Sequence, residues 1–201
     1  MDRLNKAPAE SRLDRRQVVA TLLRDRADLL VVTGLGAPTY DCAAAGDHPN
    51  NFYLWGAMGG AAMLGLGLAT AQPGRRVLVI TGDGEMLMGL GALATIGARK
   101  PANLSIVVLD NERYAETGGQ RTHTAHGVDL AAVAAGCGFA SATTVRTKAQ
   151  VETLRDAVHA ADCPLFAAVK VDPADLPRVL PPRDGVYLAG RFRQALLGEA
   201  F

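Results

Sequence analysis

Gly82-Asp83-Gly84-Glu85 lies between a continuous apolar run, residues 76–81, and a longer helix-like run, residues 85–99. Small residues at such a strand-to-helix turn allow a ligand to approach the backbone, and the N–H groups that open a helix attract anions. By itself, however, Gly-Asp-Gly is equally an ordinary tight turn. The stretch therefore predicts a strand–turn–helix unit, and its surroundings decide whether the turn binds a ligand.

A second polar turn follows the next apolar strand, residues 104–109, where the chain reads Asp110-Asn111. In a parallel sheet the carboxyl ends of the strands meet at one edge, so this turn and Asp83 are expected in one crevice. Carboxylate and amide oxygens are ligands that Mg²⁺ prefers, and Mg²⁺ commonly shares phosphate oxygens with one or two protein groups. The pair Asp83 and Asn111 therefore predicts a site for a metal-bound phosphate.

Two further segments extend the pattern. Gly56-Ala57-Met58-Gly59-Gly60 reads as a bend that enters a helix of small residues, and a lone methionine there is most simply a core residue. The chain after the second turn contains Asn111-x-x-Tyr114-x-x-Thr117-Gly118-Gly119-Gln120.

Taken together, these elements resemble thiamine-diphosphate-dependent enzymes over about residues 33–140. The stretch from Asn111 to Gln120 is similar to one found in sulfopyruvate and phosphonopyruvate decarboxylases and in the β subunits of 2-oxoacid:ferredoxin oxidoreductases. The resemblance implies a diphosphate-binding domain like that of the sulfopyruvate decarboxylase β subunit, with thiamine diphosphate and Mg²⁺ as cofactors.

The resemblance also implies roles for single residues. Met58 would be the wedge that bends the cofactor, with the Gly56 carbonyl and the Met58 N–H binding its aminopyrimidine ring. The metal ligands would be Asp83, Asn111 and the backbone carbonyl of Arg113. The expected cofactor contacts are Gly34, Leu35, Gly56, Met58, Gly82, Asp83, Gly84, Glu85, Asn111, Arg113, Tyr114 and Ala115; the candidate catalytic residues are Met58, Glu116 and His123.

In this family the glutamate that activates the cofactor belongs to a separate pyrimidine-binding domain. Glu85 and Glu116 match the diphosphate end instead, so the resemblance implies an α-type partner subunit that supplies this glutamate. We expect a hetero-oligomer with two or more copies of each chain that decarboxylates a 2-oxo acid to an aldehyde. Glu112 stands where a glycine is typical of phosphonopyruvate decarboxylases. This departure leaves it undecided whether the substrate carries an anionic tail.

Composition agrees with this interpretation. The chain has 201 residues, of which 49% are hydrophobic and 20% charged, and its formal net charge is +1. We expect one domain, residues 1–172, and a proline-rich tail, residues 173–201, with a helix at 186–197. The near-neutral charge argues against nucleic acid as a partner, and no apolar run is long enough for a membrane span. A polar N-terminus without a secretory signal and three scattered cysteines predict a cytoplasmic protein with reduced thiols.

Continuous apolar strands alternate with helices, which predicts an α/β fold. We expect a three-layer αβα sandwich around a mostly parallel sheet of about six strands. The predicted strands are residues 29–33, 52–55, 76–81, 104–109, 139–145 and 165–171, and the predicted helices are residues 12–26, 58–70, 85–99, 129–135 and 148–161.

Three alternatives stay open. Gly34-Leu35-Gly36 follows a strand, as in dinucleotide-binding loops, but Thr39 stands where that pattern needs Gly or Ala. A ferredoxin oxidoreductase β subunit is disfavoured because iron–sulfur clusters need four thiolates. A non-catalytic scaffold is disfavoured by the presence of both Asp83 and Asn111.

Overall fold

The structure is a computed structural model that describes residues 12–160 and 162–198. Residues 1–11, which hold most of the polar N-terminal stretch, lie outside the described residues, as do residue 161 and residues 199–201. Among the residues that the structure describes, no helix is long and apolar enough to cross a lipid bilayer.

Helices and strands alternate along the described chain, as the apolar pattern predicts. The helices are α1 (Arg15–Leu22), α2 (Ala37–Ala44), α3 (Ala61–Ala71), α4 (Asp83–Met88), α5 (Gly91–Arg99), α6 (Leu130–Gly136), α7 (Lys148–Ala160) and α8 (Gly185–Leu197). The strands are β1 (Leu30–Thr33), β2 (Asn51–Tyr53), β3 (Val77–Gly82), β4 (Leu104–Asp110), β5 (Arg113–Tyr114), β6 (Gln120–Arg121), β7 (Ser141–Val145) and β8 (Leu165–Lys170).

The central sheet has six parallel strands in the order β2-β1-β3-β4-β8-β7. Its middle strands are buried on both faces, which explains why β1, β3 and β4 read as unbroken apolar runs. Val31 and Leu78 face a core shared with α1 and α7, whereas Val32 and Val79 face a core shared with α3, α5 and α6. The predicted α/β fold with a six-stranded parallel sheet is therefore confirmed.

Helix α2 and the strands β5 and β6 lie in segments predicted as loops, and α1 is shorter than the predicted helix at residues 12–26. Two further boundaries also differ from the sequence prediction. Helix α3 begins at Ala61 rather than at Met58, and the predicted helix at residues 85–99 is divided into α4 and α5. Backbone crowding coincides with both changes, because a Cβ atom on Gly89 would lie 2.1 Å from the carbonyl oxygen of Gly59. The two glycines bring the chain before α3 against the end of α4.

The tail returns to the domain. The ring of Phe192 in α8 lies edge-on to Phe52 of β2, with centroids 5.5 Å apart. The indole N–H of Trp55 donates to the carbonyl of Pro182 at 3.1 Å, and Arg191 forms an ion pair with Asp47 at 2.6 Å. Helix α8 thus packs against the strand at one end of the sheet, and the boundary at residue 172 stays a prediction.

Candidate functional site

A cleft lies at the carboxyl ends of β1, β3 and β4, where the polar turns were expected to meet. Most of the residues that the sequence singled out line it: Leu35, Met58, Gly82, Asp83, Gly84, Glu85, Asn111, Arg113, Tyr114, Ala115 and Glu116. Gly34, Gly56 and His123 are not among the lining residues. The convergence follows from parallel topology, which brings successive strand ends to one edge of the sheet.

The carboxyl group of Asp83 is buried at the floor of this cleft, with 1% of the residue exposed. Its Oδ2 atom accepts hydrogen bonds from the hydroxyls of Thr122 and Thr124. The same Thr124 hydroxyl lies 2.8 Å from Oδ1 of Asp110, which also pairs with Lys170 at 2.6 Å. Among the described side chains, none donates to Oδ1 of Asp83. One carboxylate oxygen is thus held in place while the other stays free for a ligand.

The electrostatics of Asp83 suit a cation. Burial, and to a smaller extent the neighbouring Asp110, raise the pKa of this carboxyl, whereas hydrogen bonds from Thr122 and Thr124 lower it, and the net pKa is about 6. A buried carboxylate is costly unless a positive charge faces it, and a divalent cation meets that need. No group of three or more His, Cys, Asp or Glu side chains among the described residues could hold a metal alone.

The turn after β4 is shaped by Asn111 and Glu112. Asn111 is buried, and its Oδ1 atom accepts the Arg113 N–H at 2.9 Å, so the expected metal ligand also closes its own turn. Glu112 has a φ of 61°, a left-handed conformation that favours glycine. Its side chain pairs with Arg12 at 2.7 Å and Lys170 at 3.1 Å, and it does not line the cleft. The side chain of Glu112 is therefore directed to these two cations and contributes nothing to the lining of the cleft.

The glycines of the first turn have different roles. A Cβ atom on Gly84 would lie 2.7 Å from the ring of Tyr114, so only glycine fits beneath that side chain. A Cβ atom on Gly82 would meet nothing within 4 Å. Helix α4, which begins after Gly82, and helix α2, which begins after Gly36, both lack a side-chain cap. Their first N–H groups are available to an anion in the cleft, which fits a bound diphosphate.

Glu85 accepts hydrogen bonds from groups that could not be predicted from the sequence. It is buried, accepts from the Thr81 hydroxyl at 2.9 Å and from the Ala61 N–H at 3.4 Å, and burial raises its pKa. A Cβ atom on Gly34 would lie 1.6 Å from Oε2 of Glu85. Gly34 therefore makes room for Glu85, which ties the turn after β1 to the start of α3. A direct cofactor contact by Gly34 stays a prediction.

The expected wedge reaches the cleft. Met58 lines it and is 40% exposed. The Met58 N–H donates to the Gly56 carbonyl at 2.8 Å, so the two groups expected to bind the pyrimidine are paired with each other. Gly56 has a φ of 87°, which favours glycine.

Of the two candidate catalytic residues in the loop after β4, one lines the cleft and the other does not. Glu116 lines the cleft, and its Oε2 atom lies 3.9 Å from Arg178 of the tail. His123 lies in the short 3₁₀ helix His123–His126, with its Nδ1 atom 3.5 Å from the Tyr114 hydroxyl. The histidine therefore reaches the cleft only through Tyr114.

Sequence reasoning missed three residues of the site. Thr122 and Thr124 hold Asp83, and Arg15 of α1 lines the cleft from the far end of the chain. A Thr-x-Thr pair after a hairpin was the available signal for the first two. Nothing in the local sequence around Arg15 points to the site.

Known proteins are similar to this chain in sequence. Residues 36–169 match the family model described as thiamine pyrophosphate enzyme, C-terminal TPP binding domain. Sulfopyruvate decarboxylase subunit beta of Methanothermobacter thermautotrophicus is 43% identical over 167 residues, which cover 82% of this chain and 86% of that subunit. Phosphonopyruvate decarboxylase of Streptomyces viridochromogenes is 40% identical over 185 residues, covering 88% of this chain and 44% of that enzyme.

Solved structures share the fold. The thiamine diphosphate-dependent 4-hydroxybenzoylformate decarboxylase of Rhodococcus jostii RHA1 matches with a TM-score of 0.66 at 22% identity, covering 86% of this chain and 35% of that one. Benzoylformate decarboxylase of Polynucleobacter necessarius matches with a TM-score of 0.69 at 18% identity, covering 88% and 36%. This chain thus spans about a third of each solved structure. By its sequence and its cleft, the chain belongs to the thiamine pyrophosphate enzymes and carries their C-terminal cofactor-binding domain.

Proposed function

We propose that this chain is the diphosphate-binding subunit of a two-subunit, thiamine-diphosphate-dependent decarboxylase that converts a 2-oxo acid to an aldehyde. The observation that carries the proposal is the cleft in which buried Asp83, Asn111 and the uncapped start of α4 converge. The similarity to a sulfopyruvate decarboxylase β subunit over most of both chains supports the subunit assignment.

The chain's own residues would bind and orient the cofactor. Asp83, the Asn111 amide oxygen and the Arg113 carbonyl would hold Mg²⁺, while N–H groups at Gly84 and Glu85 would face the diphosphate. Met58 would support the bent cofactor from below. Thiamine diphosphate supplies the electron sink that decarboxylation of a 2-oxo acid requires. The protein would add orientation and exclusion of water.

We further propose that the activating glutamate comes from an α-type partner. Glu85 is buried against Thr81 and Ala61, and Glu116 lies by the turn after Asn111. Both glutamates therefore lie at the end of the cleft where the diphosphate would bind, away from the pyrimidine ring. The proposed assembly has two or more copies of each subunit, with the cofactor between them. The free Cys42, Cys137 and Cys163 in the described chain support a cytoplasmic location.

The substrate is proposed to be sulfopyruvate, phosphonopyruvate or a similar 2-oxo acid, because relatives with these activities are 40% to 43% identical. Glu116 and His123 are the candidate proton donors, His123 acting through Tyr114. A 2-oxoacid oxidoreductase β subunit is not favoured by these relatives. The described residues also hold no grouping of cysteines for an iron–sulfur cluster.

The direct test uses Asp83→Ala in the full chain together with its co-purified partner. We expect Mg²⁺-dependent binding of thiamine diphosphate to be lost in calorimetry and CO₂ release from a panel of 2-oxo acids to fall to background. Asp156→Ala, on the exposed face of α7, is the matched control and should behave like the wild type. Unchanged cofactor affinity in Asp83→Ala would refute the assignment of the anchor.

A further inference from the structure

A second cavity of about 390 Å³ adjoins the cleft. It shares Asn111, Arg113 and Glu116 with the cleft, and it is closed on the outer side by Arg178 and neighbouring tail residues. Its size falls within the range of about 300–1,000 Å³ that is usual for small-molecule sites. The cavity is therefore large enough for a ligand that extends outward from the cofactor cleft.

The wall of this cavity carries surplus positive charge. Asp41 is fully buried, and both Arg15 and Arg16 pair with it, at 2.8 Å and 3.1 Å. One carboxylate thus faces two guanidinium groups. Arg15 is itself buried, with 6% of the residue exposed. The buried Arg15 is thus accompanied by the buried Asp41, whereas the side chain of Arg16 is 28% exposed.

The remaining charges do not cancel this surplus. Arg178 lies 5.5 Å above the Tyr40 ring and 3.9 Å from Glu116, so that pair is balanced. Arg113 and Asp175 also line the cavity with opposite signs. The lining itself therefore holds the three guanidinium groups of Arg15, Arg113 and Arg178 and the two carboxylates of Glu116 and Asp175.

Hydrogen-bond donors on this wall remain available. Arg15 uses Nε for Asp41 and Nη1 for the carbonyl of Ala174 at 3.2 Å, but its Nη2 has no hydrogen-bond partner among the described residues. The hydroxyl of Tyr40, a residue only 7% exposed, likewise makes no hydrogen bond with a described residue. Burial raises the pKa of Tyr40, so its hydroxyl stays a donor at neutral pH.

We propose that this cavity is an anion subsite in which Arg15, Tyr40 and Arg178 bind a second anionic group, on the carbon chain of the 2-oxo acid substrate. The inference rests on the proposed decarboxylase function and deepens it, because it names the part of the substrate that the chain recognises. Guanidinium and phenol donors suit the oxygens of a sulfonate, phosphonate or carboxylate. A substrate with an apolar tail would leave the Nη2 atom of Arg15 and the hydroxyl of Tyr40 without a partner.

Direct binding tests the subsite without turnover. The probes are sulfoacetate and phosphonoacetate, titrated by calorimetry into the full chain with its co-purified partner. We expect the wild type to bind both probes, and Tyr40→Phe and Arg178→Met each to weaken binding about tenfold or more. Arg99→Met, which changes an exposed arginine of α5 that lines neither the cleft nor the cavity, is the control and should bind as the wild type does. Absence of binding to the wild type would overturn the subsite.

Turnover separates the possible occupants. In CO₂ release, the ratio of kcat/KM for a charged-tail 2-oxo acid to that for 2-oxobutyrate should fall about tenfold in Tyr40→Phe and Arg178→Met. An equal fall for both substrates would contradict a tail subsite. A tenfold loss of thiamine diphosphate affinity in the same variants would assign the cavity to the cofactor's terminal phosphate instead. If the wild type decarboxylates no 2-oxo acid, the proposed function fails, whereas the titrations still decide the subsite.

Discussion

The orientation of the Asp83 carboxylate depends on two threonines, neither of which is a candidate metal ligand. Thr122 and Thr124 both donate to Oδ2, and among the described side chains none donates to Oδ1, which is the atom that we expect to meet a metal. Such outer partners commonly change metal affinity by about 10- to 100-fold. Asp83 opens α4, whereas both threonines follow β6 in the chain.

We expect Thr122→Ala and Thr124→Ala to raise the Kd for Mg²⁺ at saturating thiamine diphosphate about tenfold or more. The reason is that the carboxylate of Asp83 loses a donor that fixes its orientation. Thr→Ser at the same positions keeps the hydroxyl and should restore the affinity, which a purely structural role for the threonine methyl group would not predict. Thr153→Ala on exposed α7 is the control, and equal Mg²⁺ affinity in all variants would contradict this role.

The raised pKa of Asp83 makes a prediction about pH. The carboxyl titrates near 6 in the folded chain and near 3.8 when unfolded, so the folded state holds its proton more tightly. In chelator, its contribution therefore lowers the free energy of unfolding as pH rises from about 4 to 6, by up to about 3 kcal/mol at about 1.4 kcal/mol per pKa unit.

Urea unfolding of the wild type and Asp83→Asn across this range measures that contribution as a difference, in which most of the other carboxyl groups cancel. Asp83→Asn should lack the fall in stability between pH 4 and 6. Parallel pH profiles for the two proteins would show that the buried carboxyl is not the source. Adding Mg²⁺ with thiamine diphosphate should remove most of the wild-type fall, because the cation stabilises the ionised carboxylate.

At this scale the sequence predicted the residues whose chemistry is unusual for their position. Asp83 and Asn111 carry polar oxygens just past buried strands, and Met58 interrupts a run of glycine and alanine, so each stands out locally. Thr122 and Arg15 do not, because a threonine in a loop and an arginine in a helix are ordinary residues. Only the tertiary contacts give them a place in the site.

At the scale of elements, the periodicity and length of the apolar runs made most of the helices and strands predictable. The exceptions lie where two backbones meet. Gly59 and Gly89 approach each other so closely that neither helix can continue through the contact. Local sequence cannot show this contact, since each glycine reads as a permissive helical residue until its neighbour across the cleft is known.

Helix α3 provides a matched pair of glycines. A Cβ atom on Gly65 would lie 2.3 Å from Cγ2 of Val79, a stiff β-branched side chain in the sheet, whereas one on Gly67 would meet nothing within 4 Å. We expect Gly65→Ala to lower the free energy of unfolding by about 1–2 kcal/mol, because overpacking outweighs the gain in helix propensity. Gly67→Ala should raise it by about 0.5–1 kcal/mol. Chemical denaturation measures both, and the same sign for the two would contradict the packing seen at Gly65.

At the scale of the whole molecule, alternation of apolar strands and helices was enough to predict the layered fold. The position of the tail was not predictable, because its prolines and isolated apolar residues show no period until α8. Leu188 and Phe192 of α8 are nevertheless buried in the two cores of the domain, one on each side of the sheet. The tail is therefore part of what stabilises the domain.

We expect Phe192→Ala to lower the free energy of unfolding by about 3 kcal/mol, since the ring is 8% exposed and packs on Phe52. Val186→Ala, on the same helix with 79% exposure, should change it by less than about 0.5 kcal/mol. Thermal and urea unfolding of both variants give the comparison. A similar small effect for both would mean that α8 contributes little to the domain.

The position of α8 also bears on solubility. Strand β2 pairs with β1 on one side only, and its outer edge carries backbone groups that could template a strand from another molecule. Arg191 of α8 donates to the carbonyl of Asn51 at 3.3 Å, so the helix occupies part of that edge. A chain shortened before Gly185 would expose it, and we expect such a chain to aggregate by edge-to-edge pairing of β2.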